Sequence, residues 1–551
     1  MRRLLWPHLR PQRLRFLGAL SLALLIAALS AAQPLLTRLA VDQGLIARHF
    51  ITLAWACAGM LTLAAAGYAL GAVHRTLYIQ ASGRTLFSLR SAVFEHLLKV
   101  SPRRLSRVPV GDLVSRLDGD IAEVQRFGTD ALLSLLSSVL SLVAVAVVMF
   151  TLSWQLALLI TVLMPLQLLV RRYARPRLET ATRAYRESAA DVSGFLVEQL
   201  SGMRQVQAAA AAPQAVSRLQ ALGEEYLKRV MDQQWVSYLT ASLASLLGHL
   251  ATAATFLAGG WMVLSGALSV GTLIAFVAYL GRSAGSAASI ASLYSGYHRA
   301  RVSLRRVEDL LALPEVAEPA DAVALGDARG DLVFDAVTVK GPGEQRPLLN
   351  AVSFQIPAGS KVVLRGVSGT GKSTMADLLR RFLEPDHGSI LLDGLPLTSY
   401  RLQDLRRRIA VVEHSPILFR GSIYDNLCHG CESVDANKVF EAARCAGVEE
   451  FVASLPQGYA TPIGEGGAGL STGQRQRIAI ARAAVAEPLI VVLDEATSGL
   501  DVEAARLMHR VLDATFASRT RLIITHRVSD VEQADLCWLL EGGQLNPAAL
   551  A

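Results

Sequence analysis

Gly366-Val-Ser-Gly-Thr-Gly371-Lys372-Ser373-Thr374 decides what the C-terminal part of this chain is. It satisfies G-x-x-x-x-G-K-[ST] in full, follows the short apolar run 361–365, and leads into the helix-like run 375–382. Each residue type has a reason to be there. Gly366, Gly369 and Gly371 let the backbone amides, with those of Ser368 and Thr370, wrap a phosphate chain. Lys372 reaches the β and γ oxygens, and Ser373, with Thr374 next to it, offers a hydroxyl to Mg2+. The helix that follows points its positive end at the anion. Strand, glycine loop and helix in this order predict a phosphate-binding α/β domain.

Downstream, Leu489-Ile-Val-Val-Leu-Asp494-Glu495 reads as a buried parallel strand ending in two carboxylates. Such a strand sets Asp494 beside the phosphate loop, where it holds Mg2+ through water. Glu495 is then placed to polarise an attacking water. Standing alone, the two acids would read as a solvated strand end; the phosphate loop upstream selects the catalytic reading.

The rest of the 551 residues has a different composition. Hydrophobic residues make up 52% of the chain and charged ones 18%, against about 25% charged in an ordinary soluble domain. Stretches free of Asp, Glu, Lys and Arg, long enough to cross about 30 Å of hydrocarbon, predict six spans, near 16–37, 50–74, 131–150, 155–172, 236–258 and 271–297. The gaps at 38–49, 151–155 and 259–271 are short and nearly uncharged, whereas 75–130 and 171–232 are long and charged. Arginines crowd the N-terminus, the two long gaps and the stretch after the last span, so both termini and both long gaps are expected in the cytoplasm. The formal net charge of +8 is the excess expected of such loops rather than a sign of nucleic acid. A secretory or organelle presequence is disfavoured, because the first apolar segment is too long for a signal.

Each long gap reads as a helical hairpin with one break, at 102–111 and at 208–213. Each break would leave a short crosswise segment at the tip, suited to docking on another domain. Residues 1–313 are thus expected to form a transmembrane domain, 314–330 a linker, and 331–551 the α/β domain. The five cysteines are too scattered for a disulfide framework. Cys428-His-Gly-Cys431 has the spacing of a metal pair, but no second pair accompanies it.

Leu470-Ser-Thr-Gly-Gln474, followed by the helix-like run 475–484, brings these readings together. The C-terminal half resembles the nucleotide-binding domain of an ATP-binding cassette (ABC) transporter. From about 10 to about 545, the chain resembles a bacterial half-size exporter of the type IV, lipid-flippase and multidrug-exporter architecture. That resemblance implies a multidomain membrane protein: an all-α six-helix transmembrane domain with long intracellular helices, plus an α/β P-loop ATPase domain. Its signature motif is matched except that Thr472 replaces a Gly.

The resemblance also implies roles for individual residues. ATP and Mg2+ would be the cofactors, with Lys372, Ser373, Asp494 and Glu495 binding one face of ATP. Ser471, Gly473 and Gln474 of a second copy would close the other face. Ser498-Gly-Leu-Asp501 resembles the D-loop, and His526 the switch histidine at the γ-phosphate. Gly464-Glu465-Gly-Gly sits where the family has the loop that meets the coupling helices. Gly111-Asp-Leu-Val-Ser-Arg116 resembles the first intracellular helix and Gln199-Leu-Ser-Gly-Met-Arg204 the second. ATP-driven dimer closure would turn the spans outward in a bacterial inner membrane, by alternating access. Intact Glu495, His526 and signature favour a homodimer over a heterodimer. They also favour an exporter over an ATP-gated sensor or channel.

Two positions depart from the pattern. His414 stands where the family has a Gln that touches Mg2+ and water, and its charge varies near neutral pH. No aromatic residue lies at Lys340–Gly341, where the family stacks adenine; losing such a stack costs about 1–3 kcal/mol, so weaker ATP binding is expected. The start of the chain next to the first span argues against a leader-trimming peptidase domain. A small amphipathic, lipid-like, peptide or drug-like substrate is expected. His249 and Arg282 lie within spans, where charges usually face a cavity or a partner. Arg282 either attracts an anionic substrate or pairs with a polar group; Gln33-Pro34 reads as a kink.

Overall fold

The computed structural model describes residues 2–341, 347–367, 369–431, 434–496, 502–526 and 534–548. The chain divides into two units.

The first unit, Met1–Val93 with Val114–Asp309, is built of long helices. The main ones are Arg13–Leu39, Phe50–Lys99, Leu132–Leu152, Trp154–Ser201, Ala212–Leu264 and Val270–Leu311. At 1.5 Å per residue, helices of 42 to 53 residues run about 63–80 Å, twice the hydrocarbon thickness. Five helical stretches among the described residues are long and apolar enough to cross a membrane. Trp154–Ser201 is not among them; several side chains in its apolar half lie outside the described residues. Large apolar side chains such as Leu17, Trp55, Leu61, Leu257 and Trp261 stand exposed along these helices, as a lipid-facing surface requires.

Inside the unit, Val145, Met149, Leu156, Ile160, Phe276 and Tyr279 form a common core of the helices Leu132–Leu152, Trp154–Ser201 and Val270–Leu311. The start of the last helix is fastened to the end of the first: Asp42 accepts from the Gly271 amide at 2.8 Å and the Ser269 hydroxyl at 2.5 Å. The second long hairpin is interrupted within the expected 208–213 and at one further place. Proline at 213 does not break a helix; it sits in the first turn of Ala212–Leu264, where its missing N–H is harmless. The interruptions fall at Gly202 and at Ala209–Ala211, with Ala210 at φ +51°, so the short segment is Met203–Ala208.

The second unit comprises Phe94–Leu113 and Leu310–Ala551. Its centre is a six-stranded sheet in the order Gln544–Pro547, Leu536–Glu541, Lys361–Arg365, Thr520–Thr525, Ile490–Asp494, Ile409–Glu413. All neighbours are parallel except the first pair. Alternate side chains serve two cores. Val363, Val412, Val491, Leu493 and Ile523 face a helical layer that includes Thr472–Val485 and Val502–Thr515. Val362, Leu364, Ile490, Val492, Leu522 and Ile524 face the helix Lys372–Leu379 and an antiparallel sheet. That second sheet has the order Pro347–Ile356, Leu332–Lys340, His387–Leu392, Leu395–Pro396. Burial of both faces explains why the parallel strands read as unbroken apolar runs.

The stretch 314–330 is more than a linker. Asp393 accepts from the amides of Arg329, Gly330 and Asp331, and Arg381 donates to the Ala317 carbonyl. The short helix Pro102–Leu105 also belongs to this unit. Ser101 donates its hydroxyl to the Phe382 carbonyl, and Arg104 donates to Pro314 O at 3.1 Å. His96 Nδ1 lies 2.8 Å from Glu315 Oε1. The Phe382 ring is flanked by the guanidiniums of Arg380 and Arg406, at 4.5 and 4.8 Å.

Candidate nucleotide site

The parallel strands end at one edge of the sheet, and the chemistry collects there. Lys361–Arg365 runs into the glycine loop, where Gly369 and Gly371 take φ of +84° and +98°, a region that L side chains avoid. A Cβ at Gly366 would lie 2.6 Å from the Leu540 carbonyl, so the loop must pass close to the neighbouring strand. The helix starts at Lys372, earlier than the run 375–382 suggested, because the left-handed Gly371 is its N-cap. It stops at Leu379, and Arg381 at φ +52° turns the chain away. Thr370 folds its hydroxyl onto Val367 O at 2.8 Å. Lys372 is buried and donates to the carbonyls of Gly366 and Val367 at 2.7 and 2.8 Å. Its ammonium thus lies within the loop that would hold the phosphates. Thr374 donates its amide to Gly371 O. Ser368 lies outside the described residues.

Asp494 ends the strand Ile490–Asp494, one strand beyond Thr520–Thr525 from the loop's strand, in register with Glu413 on one side and Ile524 on the other. Burial pushes its carboxyl above the usual range; a hydrogen bond from Ser373 opposes this, and the neighbouring carboxylates of Glu495 and Glu413 add to it. A half-buried acid beside two further acids and a serine hydroxyl is a donor set suited to a hard divalent cation. Mg2+ fits these residues: Ser373 and Asp494 would hold it, and it would neutralise charge on the phosphates. Glu413 is the acid that the sequence reading missed, although its place at the end of the strand before His414 was the available signal.

Glu495 is the next residue, at φ +50°, with its amide bonded to Ile524 O at 2.9 Å. This bend turns its side chain off the strand direction. Its Oε1 lies 3.5 Å from Nδ1 of His526, which follows the neighbouring strand Thr520–Thr525. The two residues are thus brought together from strands parted by about 30 residues of sequence. His414 is exposed just beyond Glu413.

The signature stretch has its own local logic. Ser471 is the N-cap of Thr472–Val485: its hydroxyl accepts from the Gln474 amide at 3.2 Å, and Gln474 Oε1 accepts from the Ser471 amide at 2.8 Å. This reciprocal box leaves the first amides of the helix, Gly473 included, at an end that suits an anion. Arg475 bonds Leu470 O and the Thr472 hydroxyl. Among the described residues, no hydrogen bond or ion pair joins Ser471, Gly473 or Gln474 to Lys372 or Asp494. Asp501 and the rest of the D-loop lie outside the described residues.

Comparison with known proteins decides the family. Residues 16–282 match the ABC transporter transmembrane region, and 349–498 match the ABC transporter family. The ATP-dependent lipid A-core flippase of Chromobacterium violaceum is 32% identical, over 84% of this chain and 79% of its own. The chain belongs to the ABC transporters. An ABC transporter ATP-binding protein of Bacillus subtilis, YknU, is 30% identical over 98% of this chain and 92% of its own. The structure of a bacterial Atm1-family ABC exporter with ATP bound superposes with a TM-score of 0.80 at 26% identity, covering 97% of this chain and 94% of that one. This ABC protein is a half-size, type IV exporter, with a helical transmembrane domain followed by an α/β ATPase domain. It is a multi-pass membrane protein that binds nucleotide, and it couples ATP hydrolysis to export. Half-size exporters of this family function as dimers.

Proposed function

We propose that two copies of this chain form a homodimer that clasps two ATP molecules and exports a lipid-like amphipath from the inner leaflet of a bacterial plasma membrane. The observation that supports two complete active sites is the pairing of Glu495 with His526 at 3.5 Å beside the half-buried Asp494. In this reading Lys372 leaves its loop carbonyls for the β and γ oxygens, while Ser373 and Asp494 would hold Mg2+, which would neutralise charge on the phosphates. Glu495 takes the proton of the attacking water. His526 orients Glu495 and contacts the γ-phosphate, and His414 would contribute to holding Mg2+ or water. Ser471, Gly473 and Gln474 of the second copy close the site. The amides around the glycine loop bind the triphosphate in both the open and the closed state; the signature contacts exist only in the closed dimer, so ATP drives closure by differential binding.

Closure reaches the spans through the short intracellular segments. Pro102–Leu105 rests on Phe382 within the ATPase unit. Both termini are cytoplasmic in this arrangement. The lipid-like substrate is supported by the likeness to lipid A-core flippases; a peptide or drug is the competing cargo. The test is reconstitution with fluorescent lipid, peptide and drug probes. ATP-dependent lipid translocation that is absent from Glu495→Gln supports the reading. Peptide or drug movement without lipid movement replaces the cargo, and full transport by Glu495→Gln overturns the catalytic role.

A further inference from the structure

Arg282 stands 12 residues into the helix Val270–Leu311, about 18 Å from its start, deep in an apolar stretch. A charge there needs partners, and the structure shows what they are. One guanidinium nitrogen donates to the carbonyl of Ser30, the other to Gln33 Oε1 at 2.9 Å. One helical turn earlier, fully buried Tyr279 donates its hydroxyl to the carbonyl of Ala31.

The identity of the first acceptor matters. In an α-helix the carbonyl of residue 30 receives the amide of residue 34. Residue 34 is proline, inside the helix Arg13–Leu39, and proline has no N–H to give. The Ser30 carbonyl is therefore the one group in that turn that the helix itself cannot satisfy. In hydrocarbon, where no water can take its place, an unpaired carbonyl is strongly disfavoured. The guanidinium and the proline explain each other: Pro34 opens the backbone ladder, and Arg282 supplies the missing donor from another helix.

We infer that Arg282 is a positioning residue that caps the carbonyl freed by Pro34, and that Ser30–Pro34 is a bend point of the first span held by this donor. Two of the five guanidinium N–H groups are spent on the first helix. Arg282 belongs to the same unbroken helix that reaches Leu311, so the bend is tied to the element that continues into the ATPase unit's sequence.

The test is a double-mutant cycle on the full-length protein in nanodiscs: wild type, Arg282→Ala, Pro34→Ala and the double variant. ATPase kcat, KM for ATP and melting temperature are measured for each. With Pro34 present, Arg282→Ala is expected to lower kcat at least fivefold and to lower the melting temperature, with KM unchanged. In the Pro34→Ala background, where the restored backbone amide satisfies the Ser30 carbonyl, the same substitution is expected to change kcat less than twofold. Equal losses in both backgrounds overturn the inference and return Arg282 to a ligand or general structural role. If Arg282→Ala does not assemble, Arg282→Gln replaces it in the cycle, with the same dependence on residue 34 expected. Wild-type ATPase in the same preparation keeps this result separate from the exporter reading itself.

Discussion

Replacing Ser471 by Ala separates what a capping residue does for a helix from what it does for ATP. Within one chain, the Ser471 hydroxyl accepts one bond, from the Gln474 amide at 3.2 Å. Losing an N-cap of this kind costs about 1 kcal/mol, which lowers the melting temperature of a domain of this size by about 2–4 °C. Ser422 supplies an internal control. It caps Ile423–Leu427 with the same reciprocal box, accepting from the Asp425 amide at 3.0 Å while Asp425 accepts from its own amide at 2.8 Å. The Ser422 hydroxyl also donates to Asp425 Oδ2 at 2.7 Å, so Ser422→Ala should lower the melting temperature by at least as much and still leave ATPase within twofold of wild type. Ser471→Ala should add the loss of one hydrogen bond to a charged phosphate, about 1.5–3 kcal/mol, which is roughly tenfold to a hundredfold in turnover. The assay is ATPase of the reconstituted full chain with melting measured in parallel. Equal activity losses in the two variants, or full activity in Ser471→Ala, would refute the shared-site reasoning.

Other substitutions probe other links. Burial raises the Asp494 carboxyl above its ordinary value, so its ionisation opposes folding: this burden is absent below about pH 4 and grows as pH rises through the raised value. Asp494→Asn should accordingly raise the melting temperature at neutral pH without nucleotide or Mg2+, lose that gain in acid, and abolish hydrolysis; a variant melting below wild type at pH 7 contradicts this. Asp513 bridges nearly buried Lys361 at 2.9 Å and Arg521 at 2.7 Å. Asp513→Ala leaves a buried ammonium unpaired and should destabilise the ATPase unit by about 3–5 kcal/mol, read by denaturant melts. A Cβ at Gly271 would lie 2.6 Å from Arg38 O and 2.7 Å from the Asp42 carboxylate. Gly271→Ala should thus cost about 1–3 kcal/mol and loosen the membrane unit, whereas Gly281→Ala, with nothing within 4 Å, should not.

The phosphate loop, the carboxylate strand and the signature are legible because each is a short motif whose chemistry depends on local order. Helix ends are less so. Lys372 begins its helix because Gly371 is left-handed, a dihedral that no periodicity reveals. The capping box of Ser471 and Gln474 is readable as S-x-x-Q, but it coincides with the signature and is hidden behind it. Partners distant in sequence are not legible at all. Nothing in the string says that Arg282 would meet Ser30, although a proline inside an apolar run does announce an unpaired carbonyl four residues earlier. The anchoring of the 314–330 stretch is hidden for the same reason: Asp393 gathers the amides of Arg329 and Gly330, and of Asp331 beyond them, across more than 60 residues of chain.

The most direct measurement is native mass determination of Glu495→Gln with ATP and Mg2+. Two chains carrying two unhydrolysed ATP molecules are expected, with dissociation or loss of trapped nucleotide when Ser471 is also replaced by Ala. A single chain retaining ATP, or a dimer whose nucleotide occupancy ignores Ser471, would contradict the shared clasp.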